Sequence, residues 1–141
     1  MRVQTNKDIL HNQCVVYEDN KKCISKIRQY LIINKGKAVG IAANQLFMKN
    51  RVFGIWYDNK MMIFVNPEIV RYSGDSLQDS TEGCMSIKGG KKHYHLKRPT
   101  IVVLKSEGRE ELTFTDYYAT VICHEMDHLN GVLISDGGAH E

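Results

Sequence analysis

Proline occurs only twice in the 141 residues, and no low-complexity or linker-like segment is visible. Collagen-like, low-complexity and disordered classes are thereby excluded, as is a linker between domains. No apolar run approaches the roughly 20 residues of a membrane helix; Tyr30 to Ile33, for example, is far too short. The first residues, Met1 to Gln13, carry no apolar core of a secretory signal. Charge of one sign is also lacking. Nineteen basic residues against sixteen acidic ones leave a net charge of +3, too little to argue for a nucleic-acid partner. The four cysteines, Cys14, Cys23, Cys84 and Cys123, form no CxxC and no framework spacing. Free thiols in a reducing compartment are expected. No repeat is visible, and 43% hydrophobic content over this length suits one domain, residues 1–141, with its own core.

What is present reads as an α+β chain. Cys23, Ile24, Ile27, Tyr30 and Leu31 make an amphipathic stripe, capped by Asp19 or Asn20 and stopped by Gly36. The β-rich runs Arg51–Tyr57 and Met61–Val65 flank Asp58-Asn59-Lys60, a hairpin signal. A further run, Glu68–Tyr72, ends at Ser73-Gly74-Asp75. Lys88 to Arg98 reads as a basic, glycine-containing loop. Thr100–Lys105 and Glu110–Thr115 read as a second hairpin. Asp116 is the expected cap of a second helix reaching Leu129, with Gly131 just past its end.

That second helix carries His124-Glu125-Met126-Asp127-His128, an HExxH pattern. Residues i and i+4 share a helix face, so two imidazoles can reach one metal ion. The glutamate between them stands where it can take a proton from water. A catalytic site keeps three protein ligands and one open position. A third histidine three residues after the glycine, as in metzincins, is absent: Ile134 stands there. A downstream acidic ligand has little chain left, although His140 and Glu141 remain formal candidates. Upstream, Cys84 in Glu82-Gly83-Cys84-Met85-Ser86 offers a thiolate. Cys14, Cys23 and Cys123 read as buried thiols.

Three motifs in order resemble those of the peptide deformylase family. They are Ala38-Val39-Gly40-Ile41-Ala42-Ala43-Asn44-Gln45, then Glu82 to Ser86, then His124 to His128. The resemblance spans nearly the whole chain. It implies antiparallel sheets packed around a central HExxH helix, and a hydrolase that removes the N-formyl group from the initiator methionine of nascent peptides. It implies one divalent metal on Cys84, His124 and His128, with Fe2+ the native ion and Zn2+, Ni2+ or Co2+ able to replace it. Glu125 becomes the general base, and Gln45 with the Met85 backbone N–H the oxyanion donors. Val39 and Gly40 become the edge that meets the peptide, Val121 a wall of the methionine pocket, and Glu82 with Arg98 a structural pair.

Ala38, Cys123 and Lys88 depart from the family's Gly, Gln and Pro at those positions. The chain also ends without the long C-terminal helix of many cellular members, as phage-encoded forms do. A monomer in a bacterial cytoplasm is expected. A weak ribosome association through Lys88, Lys91, Lys92, His93, Lys97 and Arg98 is set against a plain solvated loop. The competing readings are a small zinc endopeptidase and a non-catalytic module with a structural metal.

Overall fold

The computed structural model describes residues 2–87 and 93–136. A four-residue helix α1 (Lys7–Leu10), absent from the sequence reading, opens the chain. Helix α2 (Lys21–Ile33) follows its expected stripe, burying Cys23, Ile27, Tyr30 and Leu31. Asn34 ends it, and Gly36 turns the chain away at φ +86°. Strand β1 (Gly40–Ala42) then runs into a single 3-10 turn, Ala43–Leu46.

Strands β2 (Val52–Tyr57) and β3 (Lys60–Val65) pair antiparallel, with Tyr57 opposite Lys60. Only Asp58 and Asn59 form the turn, both at positive φ, so Lys60 belongs to the strand. That is the mirror-image turn whose twist matches a hairpin, and Asp and Asn tolerate it best after glycine. Strand β1 lies on the other side of β2, making the order β1-β2-β3.

Strands β4 (Glu68–Tyr72), β7 (Ile101–Lys105) and β8 (Leu112–Thr115) form a second antiparallel sheet in the order β4-β7-β8. Strands β5 (Leu77–Glu82) and β6 (Tyr94–Pro99) form a two-stranded ribbon. Its second strand corrects the reading of Lys88 to Arg98 as a loop: residues 94–99 are strand, and Lys88, Gly89, Gly90, Lys91 and Lys92 lie outside the described residues.

Helix α3 (Asp116–Leu129) follows β8 directly. Its cap is not Asp116, as the sequence suggested. Thr115 takes the extended cap conformation, and Asp116 sits at φ +52° with its carbonyl accepting from Gln78. The reason is space: a two-element junction without a loop forces the sharp bend onto Asp116 itself. Gly131 ends the helix at φ +76°, where a Cβ would stand 2.3 Å from the His11 carbonyl oxygen. One apolar cluster joins α3, through Ala119, Ile122, Met126 and Leu129, to Phe53, Phe64 and strands β7 and β8. A second sets α2 against β1, β2 and β3. The first and second sheets thus hold α3 rigidly from its apolar side, and its polar face is turned toward β1 and the β5–β6 ribbon.

Candidate active site

The three motifs meet. Cys84 follows β5, while His124 and His128 lie one turn apart on α3. A ligand atom from each lies within 4.8 Å of the others. The Cys84 Sγ is 3.3 Å from His128 Nε2. One soft sulfur and two imidazoles in this compass suit a transition-metal ion. The His124 Nδ1 is held by Glu82 Oε1 at 2.8 Å, which orients the ring and leaves Nε2 for a cation. The residues present therefore fit a divalent metal. His140 and Glu141, the formal alternatives, lie outside the described residues.

Glu82 belongs to a buried chain of charge. Arg98 meets both its oxygens, each at 2.8 Å, in a two-pronged ion pair. The same guanidinium reaches Asp127 Oδ2 at 2.7 Å. Burial pushes the Glu82 carboxyl up, but hydrogen bonds from Arg98 and His124 outweigh it and hold the group well below the ordinary range. Arg98 is only 2% exposed, which withdraws it from the expected basic surface. Lys97 of that surface is paired with Asp79.

Gln45 is buried, not a surface amide. Its Oε1 accepts from the Ala42 N–H at 3.0 Å across the 3-10 turn. Its Nε2 donates to Ser86 Oγ at 3.0 Å and faces Cys84 Sγ at 3.6 Å. Asn44 next to it donates to the His128 carbonyl at 2.8 Å, tying the first motif to the third.

Beside the three ligand candidates opens a cleft of about 460 Å³. Val39, Gly40, Met85, Val121, His124 and Glu125 line it. Met85 is half exposed at its rim, and Val121 is buried in its wall. Burial pushes the Glu125 carboxyl up to about 7, and its Oε1 has no hydrogen-bond partner among the described residues.

Strand β1 is the edge of its sheet. The Trp56 N–H donates to the Val39 carbonyl at 2.8 Å, and Gly40 stands opposite Ile55. In an antiparallel ladder that register turns the N–H and C=O of Gly40 away from β2, toward the cleft. The missing side chain of Gly40 has a second consequence that sequence reasoning did not foresee. A Cβ there would lie 2.8 Å from Glu125 Oε2.

Asp127, Ser86 and Asn44 were not assigned roles from sequence. Each lies inside one of the three motifs. Asp127 is three residues after His124, the spacing that places it on a neighbouring stripe of the same helix.

The family model for polypeptide deformylase matches residues 3–140. A peptide deformylase of Thermoanaerobacter pseudethanolicus is 39% identical over 117 residues, covering 80% of this chain and 70% of that protein. One from Borreliella burgdorferi is 37% identical over 123 residues, covering 79% and 72%. Among solved structures, the deformylase of a Vibrio parahaemolyticus bacteriophage, in complex with actinonin, superimposes with a TM-score of 0.82. It is 26% identical over 94% of this chain and 99% of that one. A class I type b peptide deformylase of Acinetobacter baumannii, bound to Met-Ala-Ser, gives the same TM-score at 25% identity, over 95% and 96%. The chain belongs to the polypeptide deformylase family, enzymes that remove the N-formyl group from nascent peptides.

Proposed function

We propose that Cys84, His124 and His128 hold one divalent cation and that Glu125 moves the proton in formamide hydrolysis. The observation that carries this assignment is the compact sulfur and imidazole trio beside a buried, unpartnered carboxylate that opens on a cleft. When held there, a cation would supply Lewis acidity toward a water and the formyl oxygen. We take Fe2+ as the native ion, on the usage of the family; the donor set also accepts Zn2+, Ni2+ and Co2+.

Glu125 takes the proton of the attacking water on its carboxylate and delivers it to the leaving nitrogen. A carboxyl raised toward neutrality by burial suits both directions of that transfer. Gln45 and the Met85 backbone N–H serve as donors to the developing oxyanion. One such donor is commonly worth about 2.7–4 kcal/mol in the transition state. Gln45 reaches the substrate only by releasing Ser86 or Cys84, since its two amide hydrogens are directed at those acceptors.

The peptide adds to the free edge of β1, hydrogen-bonding Gly40. Val39 contributes mainly its side chain, because its carbonyl is held by Trp56. Val121 walls the pocket for the methionine side chain. Glu82 and Arg98 fix the ring of His124 and take no part in proton transfer.

Formate release from formyl-Met-Ala-Ser tests the reading, using protein purified anaerobically with Fe2+ beside Glu125→Ala. Wild type should release formate and the variant almost none, with equal metal content. A zinc endopeptidase would instead cleave internal peptide bonds and keep its metal in Cys84→Ser. No formate from metal-loaded wild type overturns the assignment.

A further inference from the structure

Tyr30 is the one large aromatic of α2 whose ring is wholly buried while its residue lines the catalytic cleft. It is 1% exposed. Its ring packs in the cluster that holds α2 against β1 and β2. Its hydroxyl makes no hydrogen bond among the described residues, nor is it sealed from solvent as an orphaned buried atom. Tyr30 lines the cleft together with Gly40, Gln45, Cys84 and Glu125. A buried tyrosine ordinarily satisfies its O–H within the protein. Leaving it unpaired costs stability unless a ligand or water completes it. Burial, reinforced by the charges of Cys84 and Glu125, raises its pKa above the usual phenol value, so the oxygen keeps its proton and can donate.

Gln45, which shares the cleft, directs both amide hydrogens at Ser86 and Cys84. A ligated Cys84 offers only acceptors. A hydroxyl without an internal partner, on a residue lining a cleft where negative charge develops, can donate to that charge beside Gln45 and the Met85 N–H.

We propose that the Tyr30 hydroxyl is a further catalytic group, donating a hydrogen bond to the formyl oxygen of the substrate as negative charge develops on it. The proposal rests on the deformylase assignment of Cys84 and Glu125. It is separate from it: neither family membership nor the HExxH geometry requires a hydroxyl at this position of α2. The ligand class is a formamide, or a planar mimic of it such as formate.

The test compares Tyr30→Phe with wild type, both metal-loaded, in three measurements. In formate release from formyl-Met-Ala-Ser, kcat should fall about 10²-fold with KM changed less than threefold, the pattern of a contact made in the transition state. Inhibition by formate should weaken. Binding of the product Met-Ala-Ser, which has no formyl oxygen, should stay within twofold. Metal content and the melting temperature report whether the fold is kept; should Tyr30→Phe lose either, Tyr30→Met is measured by the same criteria. A kcat within twofold of wild type overturns the proposal, and so does a loss of product binding equal to the loss of kcat, which would mean that Tyr30 only shapes the cleft. If wild type itself releases no formate, the assignment of the site fails instead.

Discussion

Gly40 leaves the space that the Glu125 carboxylate occupies: a Cβ on Gly40 would stand 2.8 Å from Oε2, 3.1 Å from Cδ and 3.2 Å from Cγ. Strand β1 and helix α3 are thus fitted to each other at the proton-carrying residue. Gly40→Ala should leave the fold nearly unchanged, since the tip of a carboxylate can swing. That swing moves the proton carrier away from the reacting atoms, and small misplacements are costly in catalysis. We expect kcat to fall about 10²-fold with a melting temperature within a few degrees of wild type. Steady-state formate release and thermal melts decide it. An active Gly40→Ala enzyme would show that the carboxylate tolerates displacement.

Arg98 joins Glu82 to Asp127 with almost no exposure to water. Its removal leaves a buried carboxylate facing His124 without its main counter-charge. Arg98→Met should lower unfolding free energy by about 3–5 kcal/mol, the usual penalty for breaking a buried pair from one side. Lysine keeps the charge but cannot bridge two carboxylates with a planar fork, so Arg98→Lys should recover less than half of that loss. Urea unfolding of the metal-loaded proteins measures both. Equal stability of Arg98→Met and wild type would mean that water already reaches this network.

Much of the site could be read from sequence because its signals are local. His124 and His128 need only a helix between them, and the stripe of α3 with Gly131 beyond it announces one. Asp58 and Asn59 likewise announce the β2–β3 turn. Strand β5 is different. Its sequence, Leu77 to Glu82, is mostly polar, and it is a strand because β6 pairs with it along its length. The burial of Arg98 is likewise absent from its own charge, which reads as surface; only the resemblance paired it with Glu82, and Asp127 on α3 is a partner that the fold alone brings to it. Tyr30 shows the limit from the other side: the helical stripe places its ring in the core, but only the tertiary arrangement brings the residue to the cleft.

Asp136 ties the segment after α3 to the start of the chain. Its Oδ1 meets His11 Nε2 at 2.9 Å and its Oδ2 accepts from the Leu133 N–H at 2.8 Å. Partial burial pushes its carboxyl up, but the Leu133 N–H and His11 prevail and hold it below its ordinary value of 3.8. A carboxyl with a depressed folded-state pKa adds stability that is complete above the unfolded value and is lost as pH falls through the folded one. The stability gap between wild type and Asp136→Asn should therefore be complete at about pH 5 and shrink below about 4. The gap should be small, under about 1 kcal/mol, because the pair is partly open to water. Urea titrations at pH 5, 4 and 3 measure it, and a gap that widens over that range would contradict the sign.

Cys84 is the one of the four thiols that lines the cleft with His124 and Glu125. Burial pushes Cys14 up to about 11 and Cys23 and Cys123 up to about 12. At pH 8 a thiol of pKa 11 is thiolate for about one molecule in 10³, and the thiolate is the reactive form. Cys84 is as little exposed as Cys14, yet it lines the cleft. Once a chelator has removed the cation, iodoacetamide at pH 8 should add one carbamidomethyl group per chain, at Cys84, before any other site. Restoring Fe2+ or Zn2+ first should suppress the reaction, because donation to the cation lowers the nucleophilicity of the sulfur and blocks access to it. Intact mass and peptide mapping read both outcomes. Labelling of Cys123 ahead of Cys84 would mean that α3 opens when the cation leaves, and that the cation, rather than the packing of α3 against the sheets, holds the HExxH helix in place.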